Sequence, residues 1–148
     1  MTGQSAKGTV GEIMRSDPMT LRADDQLDMT EDLMSLGRVR HLPVLDGDRL
    51  VGVVSLRDLL ACSLARALDF DARERRVFLK SVDVREAMSK RLITVQADAT
   101  SEEAASLMLR NRIGCLPVVD ASGRLIGIVT ETDLIRAAYL GGEGPPGD

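Results

Sequence analysis

The sequence predicts an α/β (α+β) fold in which one β-α-β-β-α unit is used twice. Three observations predict it. First, Gly52–Asp58 reads GVVSLRD and Gly127–Asp133 reads GIVTETD. A β-branched run followed by Ser/Thr-x-x-Asp is the mark of a buried strand running straight into a helix N-terminus. Second, the chain lies over itself. Val10 meets Val84, Met14 meets Met88, Thr20 meets Thr94, Leu33-Met34 meets Leu107-Met108, Arg38 meets Arg112, and Leu42-Pro43-Val44 meets Leu116-Pro117-Val118. After one extra turn residue in the second copy, Arg49-Leu50 meets Arg124-Leu125, Gly52 meets Gly127 and Asp58-Leu59 meets Asp133-Leu134. Matches at turn glycines, prolines and apolar positions are the mark of an internal repeat. Third, 148 residues with 44% hydrophobic and 28% charged side chains make one domain's worth of ordinary globular chain. That length supports a core without disulfides or metals. With 2% aromatics and no Trp, the core must be aliphatic.

Each copy is then read in order. A short helical turn leads in at Val10–Met14 and Val84–Met88, and a brief strand follows at Met19–Leu21 and Leu92–Val95. An amphipathic helix comes next, Gln26–Leu36 and Thr100–Asn111, the second opened by a capping box at Thr100-x-x-Glu103. A hairpin follows: His41–Leu45 and Cys115–Val119 pair with Leu50–Ser55 and Leu125–Thr130. Asp46-Gly47-Asp48 and Asp120-Ala121-Ser122-Gly123 have the chemistry of its turns. The last helix begins after Ser55 or Thr130, and Leu59-Leu60-Ala61 and Leu134-Ile135 fit its first buried turns. The expected organisation is therefore 1–9 flexible, 10–68 first repeat, 69–83 linker, 84–140 second repeat and 141–148 disordered tail. In the linker, the DARERR run reads as a solvated helix face. Its apolar flanks, Phe70 and Val77-Phe78-Leu79, would extend the preceding helix or form a second short one.

Composition also excludes functions. A formal net charge of -4 argues against nucleic-acid binding, which needs a basic footprint, and scarce aromatics argue against base-stacking surfaces. Cys62 and Cys115 are far apart and fit reduced cysteines acting as small apolar residues. With no signal peptide and no long apolar span, the expected location is cytoplasmic, without membrane contact. One His gives no metal site. No nucleophile-base pair or Gly-rich phosphate loop is found, so no enzymatic activity is expected.

The lead-in helix, Thr20/Thr94, His41-Leu42-Pro43-Val44-Leu45-Asp46 or Cys115-Leu116-Pro117-Val118-Val119-Asp120, and then Gly-x-x-Ser/Thr-x-x-Asp resemble the cystathionine-β-synthase (CBS) domain. Two in tandem resemble a complete CBS pair, or Bateman module. The resemblance covers Val10–Ala138 and implies a stand-alone CBS-pair protein with no catalytic domain left over. It also implies two halves packed sheet against sheet about a pseudo-twofold axis. Apolar helix faces (Leu59, Leu60, Leu64, Leu68) would pair two modules into a homodimer.

The corner itself has two readings. In the plainer one, Ser55-x-x-Asp58 and Thr130-x-x-Asp133 are capping boxes. Two details count against it: such boxes favour Glu or Gln where both copies use Asp, and each strand carries a glycine that suggests close approach to something. In the functional reading the carboxylate accepts the hydroxyls of a ribose, and the helix N-terminus faces a phosphate. The resemblance implies the second. Asp58 and Asp133 would hold the sugar, with Ser55 and Thr130 near ribose and phosphate. The adenine would be lined by Thr20, Leu21, His41, Leu42 and Pro43 in one copy, and by Thr94, Val95, Cys115, Leu116 and Pro117 in the other. Leu42 and Leu116 also read simply as core. Arg38, Arg40, His41 and Arg112 are the phosphate candidates, although His41 also reads as an ordinary edge-strand residue. Gly114 and Cys115 replace Arg40 and His41 in the second copy, so either a multiply charged ligand should sit nearer the first or one site should prefer a less charged adenosyl compound. The expected function is a regulatory, ligand-sensing module. No cofactor is obligatory. AMP, ADP, ATP or S-adenosylmethionine would bind in the inter-repeat cleft, and an unidentified regulated protein would read the resulting change. The alternative is a ligand-free oligomerisation scaffold.

Overall fold

The computed structural model describes residues 8–66 and 70–141, with backbone only at 63–66. The flexible start and tail read from the sequence therefore fall largely outside the described residues, as does Leu68. In chain order the elements are α1 (Val10–Ile13), β1 (Arg15–Ser16), β2 (Leu21–Arg22), α2 (Leu27–Gly37), β3 (His41–Asp46), β4 (Arg49–Ser55), α3 (Leu56–Arg66), α4 (Ala72–Lys80), α5 (Val84–Ala87), β5 (Val95–Gln96), α6 (Ser101–Asn111), β6 (Cys115–Val119), β7 (Leu125–Thr130) and α7 (Glu131–Tyr139). The expected β-α-β-β-α order appears twice, as β2-α2-β3-β4-α3 and β5-α6-β6-β7-α7.

The chain forms two compact units that cut across the repeats. One spans Met19–Leu92 and holds the first repeat with α4 and α5. The other joins the described residues up to Pro18 to those from Ile93 onward. The lead-in helix ahead of each repeat thus belongs to the unit built from the other repeat.

In the Met19–Leu92 unit the sheet order is β2-β3-β4. β2 runs parallel to β3, with Leu21 opposite Val44. β3 and β4 form the hairpin, with His41 opposite Ser55 and a register slip between Val44 and Leu45. Leu21, Leu27, Leu42, Val54, Leu59, Leu79 and Val84 fill the aliphatic core. α5 is tied in by its backbone: Val84 N–H donates to the Asp25 carbonyl at 2.7 Å, and Ser89 exchanges bonds of 2.9 and 3.2 Å with Val53.

The linker run is exposed over 71–74, as a solvated face would be, and its two half-exposed arginines, Arg75 and Arg76, also pair with another helix. α4 is a separate helix, capped by Asp71, which accepts from Glu74 N–H at 2.8 Å. It buries Leu79 and lays two arginines on α2. Arg76 makes a fork to Asp32 at 2.9 and 2.8 Å, and Arg75 pairs with Glu31. The hydrogen bond from Arg76 is the main cause holding the Asp32 carboxyl below the usual aspartate range. The partners lie on another helix, far away in sequence, so local charge pattern could not show them.

In the other unit the sheet order is β1-β7-β6-β5. β5 runs parallel to β6, and β6 and β7 repeat the hairpin with Cys115 opposite Thr130. Val10, Val95, Ala104, Met108, Leu116, Val118 and Val129 form its core. α6 begins with the expected capping box at Thr100 and Glu103. α1 is fastened by Val10 N–H to the Ala99 carbonyl and Gly11 N–H to the Ala97 carbonyl, both 2.8 Å.

The glycines of the two hairpins answer to the lead-in segments. A Cβ on Gly52 would lie 2.6 Å from the Met88 sulfur and 2.8 Å from the Ser89 carbonyl oxygen. On Gly127 it would lie 2.6 Å from the Met14 sulfur and 2.9 Å from the Arg15 carbonyl oxygen. The close approach suspected from sequence is therefore an approach of protein to protein. The expected buried run after each Asp is also corrected: Leu59 is in the core, but Leu60 and Ile135 are exposed.

Candidate functional site

Each hairpin hands its last strand directly to a helix, and the handover residues are those singled out by sequence. At the first corner, Ser55 Oγ accepts from Asp58 N–H at 3.0 Å. Asp58 Oδ2 accepts from Ser55 N–H at 2.8 Å. This reciprocal pair satisfies two donors that the start of a helix would otherwise leave open. At the second corner Thr130 N–H donates to Asp133 Oδ2 at 2.9 Å and Asp133 N–H donates to Thr130 Oγ1 at 3.4 Å. The shorter Asp thus reaches the cap N–H at 2.8 and 2.9 Å, no longer than the 3.1 Å of Thr100 N–H to Glu103 Oε2. Neither the choice of Asp nor the glycine counts against capping.

Beyond the box, the corners differ. Ser55 and Asp58 are half-buried, and among the described residues Asp58 Oδ1 has no hydrogen-bond or ion-pair partner. A carboxylate has about four acceptor sites, so capping leaves the first corner's outer oxygen available. Thr130 and Asp133 are buried, 4% and 6% exposed. Thr130 Oγ1 also donates to Asp133 Oδ2 at 3.1 Å, and Arg136 Nη1 donates to Asp133 Oδ1 at 3.3 Å. Both oxygens of the second carboxylate are engaged.

Strand pairing gathers further candidates. His41 lies opposite Ser55, and Cys115 lies opposite Thr130. The Arg40 carbonyl accepts from Leu56 N–H at 2.8 Å, which fastens Arg40 to the first corner; Gly114 does the same for Glu131 at 3.0 Å. Arg38 and Arg112 end α2 and α6 in left-handed conformation, φ 53° and 54°. Thr20 and Thr94 are exposed and immediately precede β2 and β5, whose first residues pair with Val44 and Val118. The side chains of Leu21, Leu42, Val95 and Leu116 belong to the two cores, so only their backbones are free to line a ligand. Pro43 and Pro117 are buried.

Sequence reasoning missed Arg57, within the first corner, and Arg136. Both could have been read from the corner motif: Arg57 is one of its free positions, and Arg136 stands three residues beyond Asp133, a helical neighbour. The position equivalent to Arg136 in the first repeat is Ala61. Residues 38–41 with 55–61 hold three arginines and one aspartate, besides His41. In the second repeat, 112–115 with 130–136 hold two arginines, with Glu131 and Asp133. Among the described residues there is no group of three or more His, Cys, Asp or Glu that could hold a metal ion. No described helix is long and apolar enough to cross a membrane.

Comparison with known proteins places this geometry. The CBS domain profile matches residues 10–65 and 84–139. A CBS domain-containing protein of Dictyostelium discoideum is 32% identical over 130 residues, 87% of this chain and 90% of that one. The inosine-5'-monophosphate dehydrogenase of Methanocaldococcus jannaschii is 32% identical over 126 residues, covering 84% of this chain. The chain spans 22% of that dehydrogenase. Among solved structures, CBSX2 in complex with AMP has a TM-score of 0.74 at 32% identity, covering 93% of this chain and 100% of that one. The CBS domain pair of protein MJ0100, in complex with 5'-methylthioadenosine and S-adenosyl-L-methionine, has a TM-score of 0.74 at 27% identity, covering 92% and 98%.

Proposed function

The chain belongs to the CBS domain family, and from that premise we propose that it is a regulatory module that senses an adenosine-containing metabolite such as AMP, ADP, ATP or S-adenosylmethionine. The observation that carries the reading is the Ser55–Asp58 corner: a carboxylate whose cap uses one oxygen and whose other oxygen has no described partner. That oxygen accepts the ribose hydroxyls. Ser55 and the first backbone N–H groups of α3 lie next to sugar and phosphate, where the positive end of a helix favours an anion. Arg38, Arg40 and His41 meet the phosphates, and the backbone around Thr20, Leu21, Leu42 and Pro43 borders the adenine. Thr130 and Asp133, with Arg112 and the backbone of Thr94, Val95, Cys115, Leu116 and Pro117, form the equivalent second set. The AMP complex of CBSX2 and the adenosyl complexes of MJ0100 support the ligand class.

The module acts by binding and not by catalysis. A ligand with different affinity for two arrangements of the chain shifts their populations, and a partner protein reads the shift. Exposed Leu60 on α3 and its equivalent Ile135 on α7, with Tyr139 beyond it, provide the apolar faces on which two copies pair. A second reading, a ligand-free scaffold, is favoured by one observation: both corners are closed capping boxes.

Thermal unfolding with AMP, ADP, ATP and S-adenosylmethionine separates the two. A ligand at about 100 times its dissociation constant stabilises by ~2.7 kcal/mol, and Asp58→Ala should reduce the shift to what the second set alone supplies. Unchanged melting with all four compounds leaves the scaffold as the function.

A further inference from the structure

We infer that Arg136 is an internal latch on the second corner, so that the two corners are unequal and a nucleotide fills Ser55–Asp58 first. The inference rests on the proposed nucleotide binding at these corners and goes beyond it. Both aspartates give Oδ2 to the cap. The difference lies at Oδ1, the oxygen a ribose would need. On Asp58 it has no described partner. On Asp133 it accepts from Arg136 Nη1 at 3.3 Å, within an ion pair whose side chains are 18% and 7% exposed. The equivalent of Arg136 is Ala61, whose side chain is too short to reach Asp58. A ribose entering the second corner must therefore displace a cation, whereas one entering the first finds no described partner on Oδ1. Helix geometry makes the latch local: three residues apart on α7, the two side chains share one face.

Calorimetric titration of the full chain with AMP tests this, using wild type, Asp58→Ala, Asp133→Ala, Arg136→Ala, Arg136→Lys and Ala61→Arg. Wild type should show one tight and one weak class of site, with the tight class lost in Asp58→Ala and kept in Asp133→Ala. Arg136→Ala should tighten the weak class about fivefold, the scale of a partly exposed ion pair. Arg136→Lys, which keeps the charge, should leave the weak class weak. Ala61→Arg should weaken the tight class by a similar factor. A tight class that disappears with Asp133 instead, two equal classes in wild type, or a weak class indifferent to Arg136→Ala would overturn the latch while leaving nucleotide binding standing. If neither wild type nor any variant takes up AMP, while ADP, ATP and S-adenosylmethionine also fail to shift melting, the binding reading falls and the latch's role falls with it.

Discussion

Ser55–Asp58 and Thr130–Asp133 hold the same place in their units and close the same two backbone bonds, yet they meet their surroundings differently. The first is half-buried, with one carboxylate oxygen outside its cap, next to Arg40 and opposite His41. The second is buried, with Gly114 and Cys115 in those places and Arg136 on its remaining oxygen. Duplication preserved the device that starts the helix, and the residues around it diverged. A capping box and a ligand site are therefore not rival assignments for one motif. The box orients the carboxylate, and its neighbours decide whether the outer oxygen is open.

The comparison can be broken most forcefully at the glycines. Gly52→Val and Gly127→Val should each cost at least the ~1–3 kcal/mol of an overpacked core, because a Cβ meets a backbone carbonyl at 2.8 or 2.9 Å in both units. Urea denaturation should give similar losses; a loss in one unit alone would show that the lead-in segments do not dock equivalently.

Next come the aspartates. Asp133→Ala removes the acceptor of the buried Thr130 N–H and of Arg136 Nη1 and should cost ~2–3 kcal/mol, whereas Asp58→Ala should cost the ~1 kcal/mol of an ordinary cap. Equal losses would mean that burial at the second corner contributes nothing.

A smaller difference separates α2 from α6. Thr30 is fully buried, and among the described residues its hydroxyl has no hydrogen-bond partner, where the second repeat has Ala104. Thr30→Val keeps the shape and removes the orphan, and should raise stability by about 1 kcal/mol. A loss of stability would show that the hydroxyl is satisfied in solution. The left-handed arginines make a subtler probe. Arg38→Gly and Arg112→Gly should each add up to ~1 kcal/mol by relieving the backbone, but only Arg38→Gly should weaken the tight class of AMP site. Equal effects on binding would remove the asymmetry between the corners.

The smallest effect belongs to α4. The Asp32 carboxyl is held low by Arg76. A depressed carboxylate stabilises the fold above its unfolded value of about 3.9 and loses that contribution as pH falls through the folded value. Asp32→Asn should therefore cost a little stability at pH 7, and the cost should shrink as pH falls below about 4, where the wild type loses the same contribution. A difference that grows as pH falls would reverse the sign.

Much of this was legible in the chain. The doubled β-α-β-β-α order, the hairpins and the Thr100–Glu103 cap all follow from local period, turn chemistry and repetition, which act between residues close in sequence. The corner motif was legible as a place, and its chemistry was only half legible. Asp at the third helical position closes a box as well as Glu does, and the glycines serve Met14 and Met88.

What the sequence by itself determined is the repeated unit, its aliphatic core and the two acids at its strand-to-helix corners, because apolar spacing and capping are short-range properties. Only tertiary structure decided that α1 and α5 complete the unit built from the other repeat, and that Arg75 and Arg76 lie on α2. It also decided that one acid is enclosed while the other keeps an oxygen open. Those outcomes depend on which surfaces meet after the chain folds back. Burial and ion pairing are set by such distant partners, and neither spacing nor composition specifies them.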